Sequence, residues 1–395
     1  MSLSRKVRYG MVGGGPGGFV GAIHRKAAAL DGNIEIVSGV FSSSPEKSYQ
    51  AGRELFLDPD RVYGSYREMV EKEGNLSEDK KIDFVSIVTP NFLHFSIAKA
   101  FIEAGINIVC DKPLVVSIEE ADELCSLVAK KDIIFAVTYN YTGYPMVKQA
   151  REMIKKGVLG ELQKVIVEYS SDWLLRMVDF QGKSEKDIWR MIPEKSGRSL
   201  AIGDIGSHAE NLASYITALE MESLNALTNS YTQGTGLDDE ANILIRYQNG
   251  VRGILFCSVV AAGEMNNLNI RVYGNKASLE WKEIEPNYFI MRFPGGPEKI
   301  YHRDSDYLEP IAKYNIRFPA GLPEGYLEAF ANVYTHVANT IMARKEGKEP
   351  HEFDLDFPTI IDGARGVYFI NRAVDSGKNN NWVNMNFNPA KYYDT

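Results

Sequence analysis

The stretch Val7-Arg8-Tyr9-Gly10-Met11-Val12-Gly13-Gly14-Gly15-Pro16-Gly17-Gly18 decides the fold. Its first half is a short apolar run with the composition of a buried strand. Its second half is a glycine loop that opens a helix-period segment, residues 18–30. Gly13, Gly15 and Gly18 fit the spacing G-x-G-x-x-G, with Pro16 inside the loop. In that spacing the first glycine makes the tight turn, the second lets backbone approach a pyrophosphate, and the third packs helix on strand. Free amides and the helix dipole then attract the anion. Glycines alone would be only a flexible turn; a strand before and a helix after them predict a dinucleotide loop.

Working outward, residues 7 to about 140 alternate apolar runs with helix-period segments. The runs are 7–12, 34–41, 84–88, 106–110 and 133–138; the segments are 18–30, 45–55, 94–104 and 118–130. That rhythm predicts a parallel sheet with crossover helices. Beyond residue 140 the rhythm changes. A helix at 145–156, a strand at 164–169, an irregular polar stretch at 171–200 and a helix at about 204–218 come first. Runs 241–247 and 251–260 then flank Gln248-Asn249-Gly250, and 268–273 and 277–281 flank Gly274-Asn275-Lys276. Asn-Gly accepts positive φ, so the first reads as a hairpin, and the second turn reads as another. A further strand at 288–293 and helices at 326–343 and 357–376 complete the chain. The expected fold is α/β. Residues 1–140 form a Rossmann dinucleotide-binding unit. Residues 141–395 form an α+β unit for substrate binding and oligomerisation, with a large, mostly antiparallel open sheet. Its C-terminal helices have room to pack back on the first unit.

Composition narrows the function. A chain of 395 residues is too long for one ordinary core. The formal charge of −8 argues against nucleic-acid backbone binding. No apolar run is long enough to span a bilayer, so no membrane partner is expected. Three cysteines without Cys-x-x-Cys spacing, and an N-terminus leading straight into a strand, point to a reducing, cytoplasmic setting.

The carboxylate that usually reads a ribose is missing after the second strand, where Phe41-Ser42-Ser43-Ser44-Pro45 stands instead. Ser42 and Ser43 can hydrogen-bond a ribose hydroxyl without repelling a 2′-phosphate. No arginine adjoins to clamp that phosphate; Lys47 and Arg53 are only candidates. The expected cofactor is NAD(P)(H), with NAD favoured.

Two further motifs carry chemistry. Asp111-Lys112-Pro113 follows the fourth apolar run, which sets an ammonium at a strand's carboxyl end, where open α/β sheets bind ligands. Gly203-Asp204-Ile205-Gly206-Ser207-His208 introduces a helix, with Asp204 and His208 four apart on one face. In its first turns the helix field would favour a carboxylate and a neutral imidazole, the form that accepts an alcohol proton. The plainer reading is a capping aspartate beside a satisfied histidine. A shared metal ion is the competing chemistry, but His94, Glu210 and His302 stand at no recognisable ligand spacing, so none is expected.

Together these elements resemble the glucose–fructose oxidoreductase / inositol dehydrogenase / MocA (Gfo/Idh/MocA) family over essentially the whole chain. Its Glu-Lys-Pro is Asp111-Lys112-Pro113 here, its Thr-Pro-Asn-x-x-His is Thr89-Pro90-Asn91-Phe92-Leu93-His94, and its Gly-Asp-x-Gly-x-His is Gly203 to His208. The resemblance implies that Lys112, Asp204 and His208 act on a substrate hydroxyl. It places Thr89, Pro90 and Asn91 along the cofactor cleft, and His94 reads as structural. Residues 17–25, 139–146, 171–174 and 188–190 look like the levoglucosan dehydrogenase branch. That likeness implies oxidation of a ring hydroxyl of a sugar, anhydro-sugar or cyclitol, by a homodimer or homotetramer built on the second sheet. Trp173 and Trp189 would offer flat faces to the sugar, and Tyr141 and Arg190 hydrogen bonds; ordinary aromatic packing is the alternative at each. The same fold also serves keto-sugar reduction, retained-cofactor enzymes and non-catalytic nucleotide binding.

Overall fold

The computed structural model describes residues 3–180, 188–232 and 236–392. Among these residues, two sheets organise the chain. The first is parallel: β1 Val7–Gly13, β2 Ile34–Val40, β3 Phe84–Val88, β4 Asn107–Cys110 and β5 Phe135–Val137, in the order β2-β1-β3-β4-β5. Phe84–Val88 is buried at every position, as a strand covered on both faces must be. The order reverses between β1 and β3, and the crevice at that switch point opens at their carboxyl ends.

The second sheet contains β6 Leu162–Ser170, β7 Met221–Asn229, β8 Glu240–Tyr247, β9 Arg252–Ser258, β10 Asn267–Gly274, β11 Ser278–Lys282, β12 Tyr288–Arg292, β13 Lys299–His302 and β14 Val383–Asn384. Their order is β13-β12-β11-β10-β6-β9-β8-β7-β14, antiparallel except for the β6–β9 pair. Both expected hairpins are present. Asn249 and Gly250 take positive φ between β8 and β9, and Gly274–Lys276 joins β10 to β11. In β8 buried and exposed residues alternate, so one face meets a core and the other is open.

Several elements escaped the sequence reading, among them the helices Tyr66–Gly74 and Pro310–Tyr314 and the strands β7, β13 and β14. The irregular stretch expected at 171–200 falls partly on residues 181–187, outside the described residues.

The helix Tyr326–Lys345 crosses back to the first sheet. Phe330, Tyr334, Val337, Ile341 and Met342 share a core with Val7, Tyr9 and Met11 of β1. Tyr334 Oη lies 2.7 Å from His24 Nδ1 and 2.8 Å from Ser86 Oγ, so a C-terminal helix completes the interior beneath the glycine loop. His24 is buried there, which makes it a packing residue.

Candidate active site

The glycine loop leaves β1 at the mouth of the crevice. Gly13 has φ +86°, and a Cβ there would stand 2.3 Å from the Val88 carbonyl oxygen, so the turn admits only glycine. A Cβ on Gly15 would stand 2.6 Å from the Phe41 carbonyl oxygen: the loop lies directly against the end of β2. The packing assigned above to Gly18 belongs to another residue. A Cβ on Gly18 would meet only the Gly15 carbonyl oxygen, at 3.3 Å, whereas one on Gly21 would meet the Gly14 Cα at 2.3 Å. Gly21 is therefore the glycine that lets the helix Phe19–Ala29 close on the loop.

Beside this loop Ser42 Oγ accepts from the Ser44 amide, and Ser44 caps the next helix through the Lys47 amide. Ser43 is exposed. Thr89 follows β3, with its Oγ1 buried and without a partner among the described residues. Pro90 leads into the turn Asn91–Leu93, and Asn91 Nδ2 donates to the Ser196 carbonyl. His94 lies 2.8 Å from the Thr89 carbonyl oxygen and 3.0 Å from that of Pro113, tying the β3 turn to the β4 turn. Its expected structural place is the one observed.

At the end of β4, Asp111 accepts from Thr138 Oγ1 at 2.9 Å and from the Lys112 amide at 2.9 Å, which fixes the backbone that carries Lys112. The Lys112 ammonium reaches 3.0 Å from Asp204 Oδ1 and also donates to the Asp204 carbonyl. Arg190 Nε approaches the same carboxylate oxygen at 3.4 Å. Burial works to raise the Asp204 carboxyl, but the Lys112 ammonium and Arg190 guanidinium outweigh it and hold it down at about 2. His208 lies among the rings of Tyr139, Tyr141 and Tyr169, with its Nδ1 buried and unpartnered among the described residues. Burial and then Lys112 push its pKa well below the usual imidazole value, so the ring is neutral.

The local backbone differs from the expected helix start. Asp204 lies in a π-turn, Ile202–Gly206, ahead of the α-helix Ser207–Thr217. The preceding turn is capped from elsewhere: Asp238 accepts from the Ile202 amide at 2.8 Å and the Leu200 amide at 3.3 Å. Asp204 caps nothing, and its state is set by Lys112 and Arg190, as that of His208 is set by burial.

A cleft of about 500 Å³ gathers Lys112, Tyr141, Trp173, Arg190, Asp204 and His208. It has the size of a small-molecule site. A narrower crevice continues from it between Thr89, Asn91 and Lys112 on one side and Trp189, Ser199 and Gly203 on the other. Of the aromatics singled out in the sequence, Trp173 lines the cleft, with its indole N–H buried and unpartnered among the described residues. Trp189 lines the crevice, with the Arg190 guanidinium 4.7 Å from its ring centre. The loop, Ser42–Ser43 and Thr89 stand at the carboxyl ends of adjacent strands, and the unpaired Thr89 hydroxyl and the glycine-only turn fit a dinucleotide.

Comparison with known proteins agrees. The description "Oxidoreductase family, NAD-binding Rossmann fold" matches residues 7–156, and "GFO/IDH/MocA C-terminal domain" matches residues 147–280. The uncharacterized oxidoreductase YfiI of Bacillus subtilis (strain 168) is 32% identical over 385 residues, covering 96% of this chain and 97% of that protein. The chain belongs to the Gfo/Idh/MocA family. As a Gfo/Idh/MocA protein it is an oxidoreductase with an NAD-binding Rossmann fold. A solved inositol dehydrogenase homolog from Azotobacter vinelandii, complexed with NADH and myo-inositol, superposes with a TM-score of 0.88 at 34% identity, covering 97% of this chain and 98% of that one. Levoglucosan dehydrogenase of Pseudarthrobacter phenanthrenivorans (strain DSM 18606 / JCM 16027 / LMG 23796 / Sphe3) is 27% identical over 300 residues, 70% of this chain and 73% of that enzyme.

Sequence reasoning missed part of this Gfo/Idh/MocA cleft. Tyr169, Asn266, Glu283 and Tyr326 also line it, from strand ends and a helix start far apart in the chain. No local spacing announces them; only the register of the second sheet brings them together.

Proposed function

We propose that this protein oxidises a ring hydroxyl of a sugar, anhydro-sugar or cyclitol, with Lys112, Asp204 and His208 acting on that hydroxyl. A bound nicotinamide supplies the hydride acceptor. The neutral His208 takes the hydroxyl proton as hydride leaves the carbon. The Lys112 ammonium hydrogen-bonds the same oxygen and stabilises its developing negative charge. Asp204 holds Lys112 in place and keeps one oxygen for a neighbouring hydroxyl. Arg190, Tyr141 and the faces of Trp173 and Trp189 bind the rest of the ring.

The observation that carries the reading is the 3.0 Å contact of Lys112 with Asp204 beside a neutral His208, all in one cleft. The inositol dehydrogenase homolog with myo-inositol and levoglucosan dehydrogenase support the substrate class. NAD is preferred to NADP in this reading, because Ser42 and Ser43 stand where a phosphate clamp would need arginine. A panel of sugars and inositols offered with NAD+ and with NADP+, followed by reduced-nicotinamide absorbance, tests the proposal. Absence of turnover across the panel would refute it.

The reading includes a second copy over the outer face of the second sheet, where Leu227, Leu244 and Ile254 are exposed and Leu244 pairs directly with Ile254. A monomer mass by light scattering at micromolar concentration would overturn that part. A cytoplasmic location is also part of it, supported by three buried free cysteines. No helix among the described residues is long and apolar enough to cross a membrane.

A further inference from the structure

Tyr141 and Tyr169 pack their rings edge-on, with centres 5.8 Å apart, and His208 lies against Tyr141 at 4.9 Å. Their hydroxyls join Asn266 in a closed circuit. Tyr169 Oη donates to Asn266 Oδ1, Asn266 Nδ2 donates to Tyr141 Oη at 2.9 Å, and the Tyr141 proton is left for Tyr169 Oη at 2.6 Å. Beside Asn266 stands Glu283, just past β11, whose carboxylate accepts from Tyr144 Oη at 3.1 Å. Each hydroxyl proton in this group is already committed to a neighbour. What this group still offers the cleft is acceptor lone pairs, chiefly those of a half-buried carboxylate.

Both cations nearest the reacting position, Lys112 and Arg190, lean on Asp204. A carboxylate on the substrate beside Glu283 would set two like charges together at a site where the dielectric is low.

We propose that Glu283, supported by Tyr144 and the Tyr141–Tyr169–Asn266 circuit, is the residue that selects the substrate, accepting hydrogen bonds from hydroxyl or amino groups remote from the oxidised carbon and excluding acidic sugars. This rests on the sugar-oxidation reading above and narrows it to rings whose far side carries only donors. A ring with two adjacent hydroxyls there satisfies both oxygens of Glu283. An amino group in place of one of them would gain from the charge.

The test compares kcat/KM for a neutral sugar that the wild type oxidises with its 2-amino and its uronic acid counterparts, in the wild type, Glu283→Gln and Tyr144→Phe. The wild type should reject the acid at least a hundredfold relative to the neutral sugar. Glu283→Gln should raise KM for the neutral sugar about tenfold with kcat within a fewfold, and should cut the preference against the acid at least tenfold. NADH titration shows whether each variant is folded. Tyr144→Phe removes a donor from the carboxylate without removing the charge, so it should raise KM while keeping the acid excluded. Unchanged KM and unchanged acid discrimination in a Glu283→Gln enzyme that binds NADH would overturn the inference while leaving sugar oxidation intact. If Glu283→Gln fails to bind NADH, a Tyr144→Phe enzyme with wild-type KM, or a wild type that accepts the acid, overturns it instead. A wild type that oxidises no sugar refutes the broader reading and this one with it.

Discussion

Lys112 and Asp204 come from opposite halves of the chain, and their side chains meet at 3.0 Å, with Arg190 Nε 3.4 Å from the same carboxylate oxygen. The pair joins a strand end of the first sheet to a π-turn beside the second. In the proposed chemistry it holds the ammonium within hydrogen-bonding reach of the substrate hydroxyl. Replacing either Lys112 or His208 by alanine should lower kcat/KM by about 10²–10⁴ while NADH still binds. The double variant should be far less than multiplicatively worse, because in the proposed chemistry both groups act on one oxygen. Steady-state kinetics with fluorescence titration reads both; near-normal turnover by His208→Ala would move the base role elsewhere.

The charge states fix a pH dependence. The His208 pKa lies below its ordinary value of 6.5, so the imidazole remains the basic form as pH falls through that value. Asp204, held at about 2, adds no ionisation near neutrality. The acid limb of kcat/KM should therefore lie below pH 6.5. A limb centred at or above 6.5 that disappears in His208→Gln would contradict the burial argument.

The two close approaches of the glycine loop differ in what they support. Gly15→Leu drives a side chain into the backbone at Phe41, so it should weaken NADH binding severely by displacing the loop from β2. Gly21→Leu collides with Gly14 and forces the helix off the loop, which should lower thermal stability as well. Melting curves separate them: equal losses of Tm would mean that both positions serve packing alone.

Cofactor choice is expected to turn on the serines after β2. Ser42→Asp adds a charge that repels a 2′-phosphate and can accept from ribose hydroxyls. The ratio of kcat/KM with NADP to that with NAD should fall at least tenfold; a fixed ratio would show that the ribose is read elsewhere.

Glu210 stands outside the proposed chemistry and carries a folding penalty. It is 3% exposed, and its Oε2 has no partner among the described residues. Burial raises its pKa to about 7, against a weaker opposing pull from Arg365. Between its unfolded value of 4.5 and about 7 the native state keeps a proton that the unfolded chain releases, so stability falls as pH rises through that window. Glu210→Gln removes the titration. Its stability relative to the wild type should grow by roughly 2–3 kcal/mol between pH 5 and pH 8. Urea denaturation at the two pH values measures this, and an equal difference at both would count against the assignment.

What was legible in the sequence was what short-range spacing encodes. The glycine loop, the buried strands, Asp111-Lys112-Pro113 and the Asp204–His208 pair each lie within a few residues, and the fold follows from them. Gly21 was passed over because a six-residue motif was already filled by nearer glycines. The helix Tyr66–Gly74 had a readable start: Ser65 Oγ accepts from the Glu68 amide, and Glu68 accepts in turn from the Gly64 amide. Only Met69 and Glu73 are buried in it, too few to make an apolar stripe. The wall of Tyr169, Asn266 and Glu283 depends on pairings such as Leu268 with Tyr169, and no reading of local pattern yields those.

The helix Tyr326–Lys345 has a consequence for how the protein is made. All five strands of the nucleotide-binding sheet have been translated by Val137, yet Val7, Tyr9 and Met11 are packed by residues as late as Met342. At a synthesis rate of about 5–20 residues per second, that apolar surface stays bare on the ribosome for on the order of ten seconds or more. The nascent first half thus exposes apolar surface of the kind that holding chaperones bind, and expressing it alone would give a sheet that lacks part of its own interior.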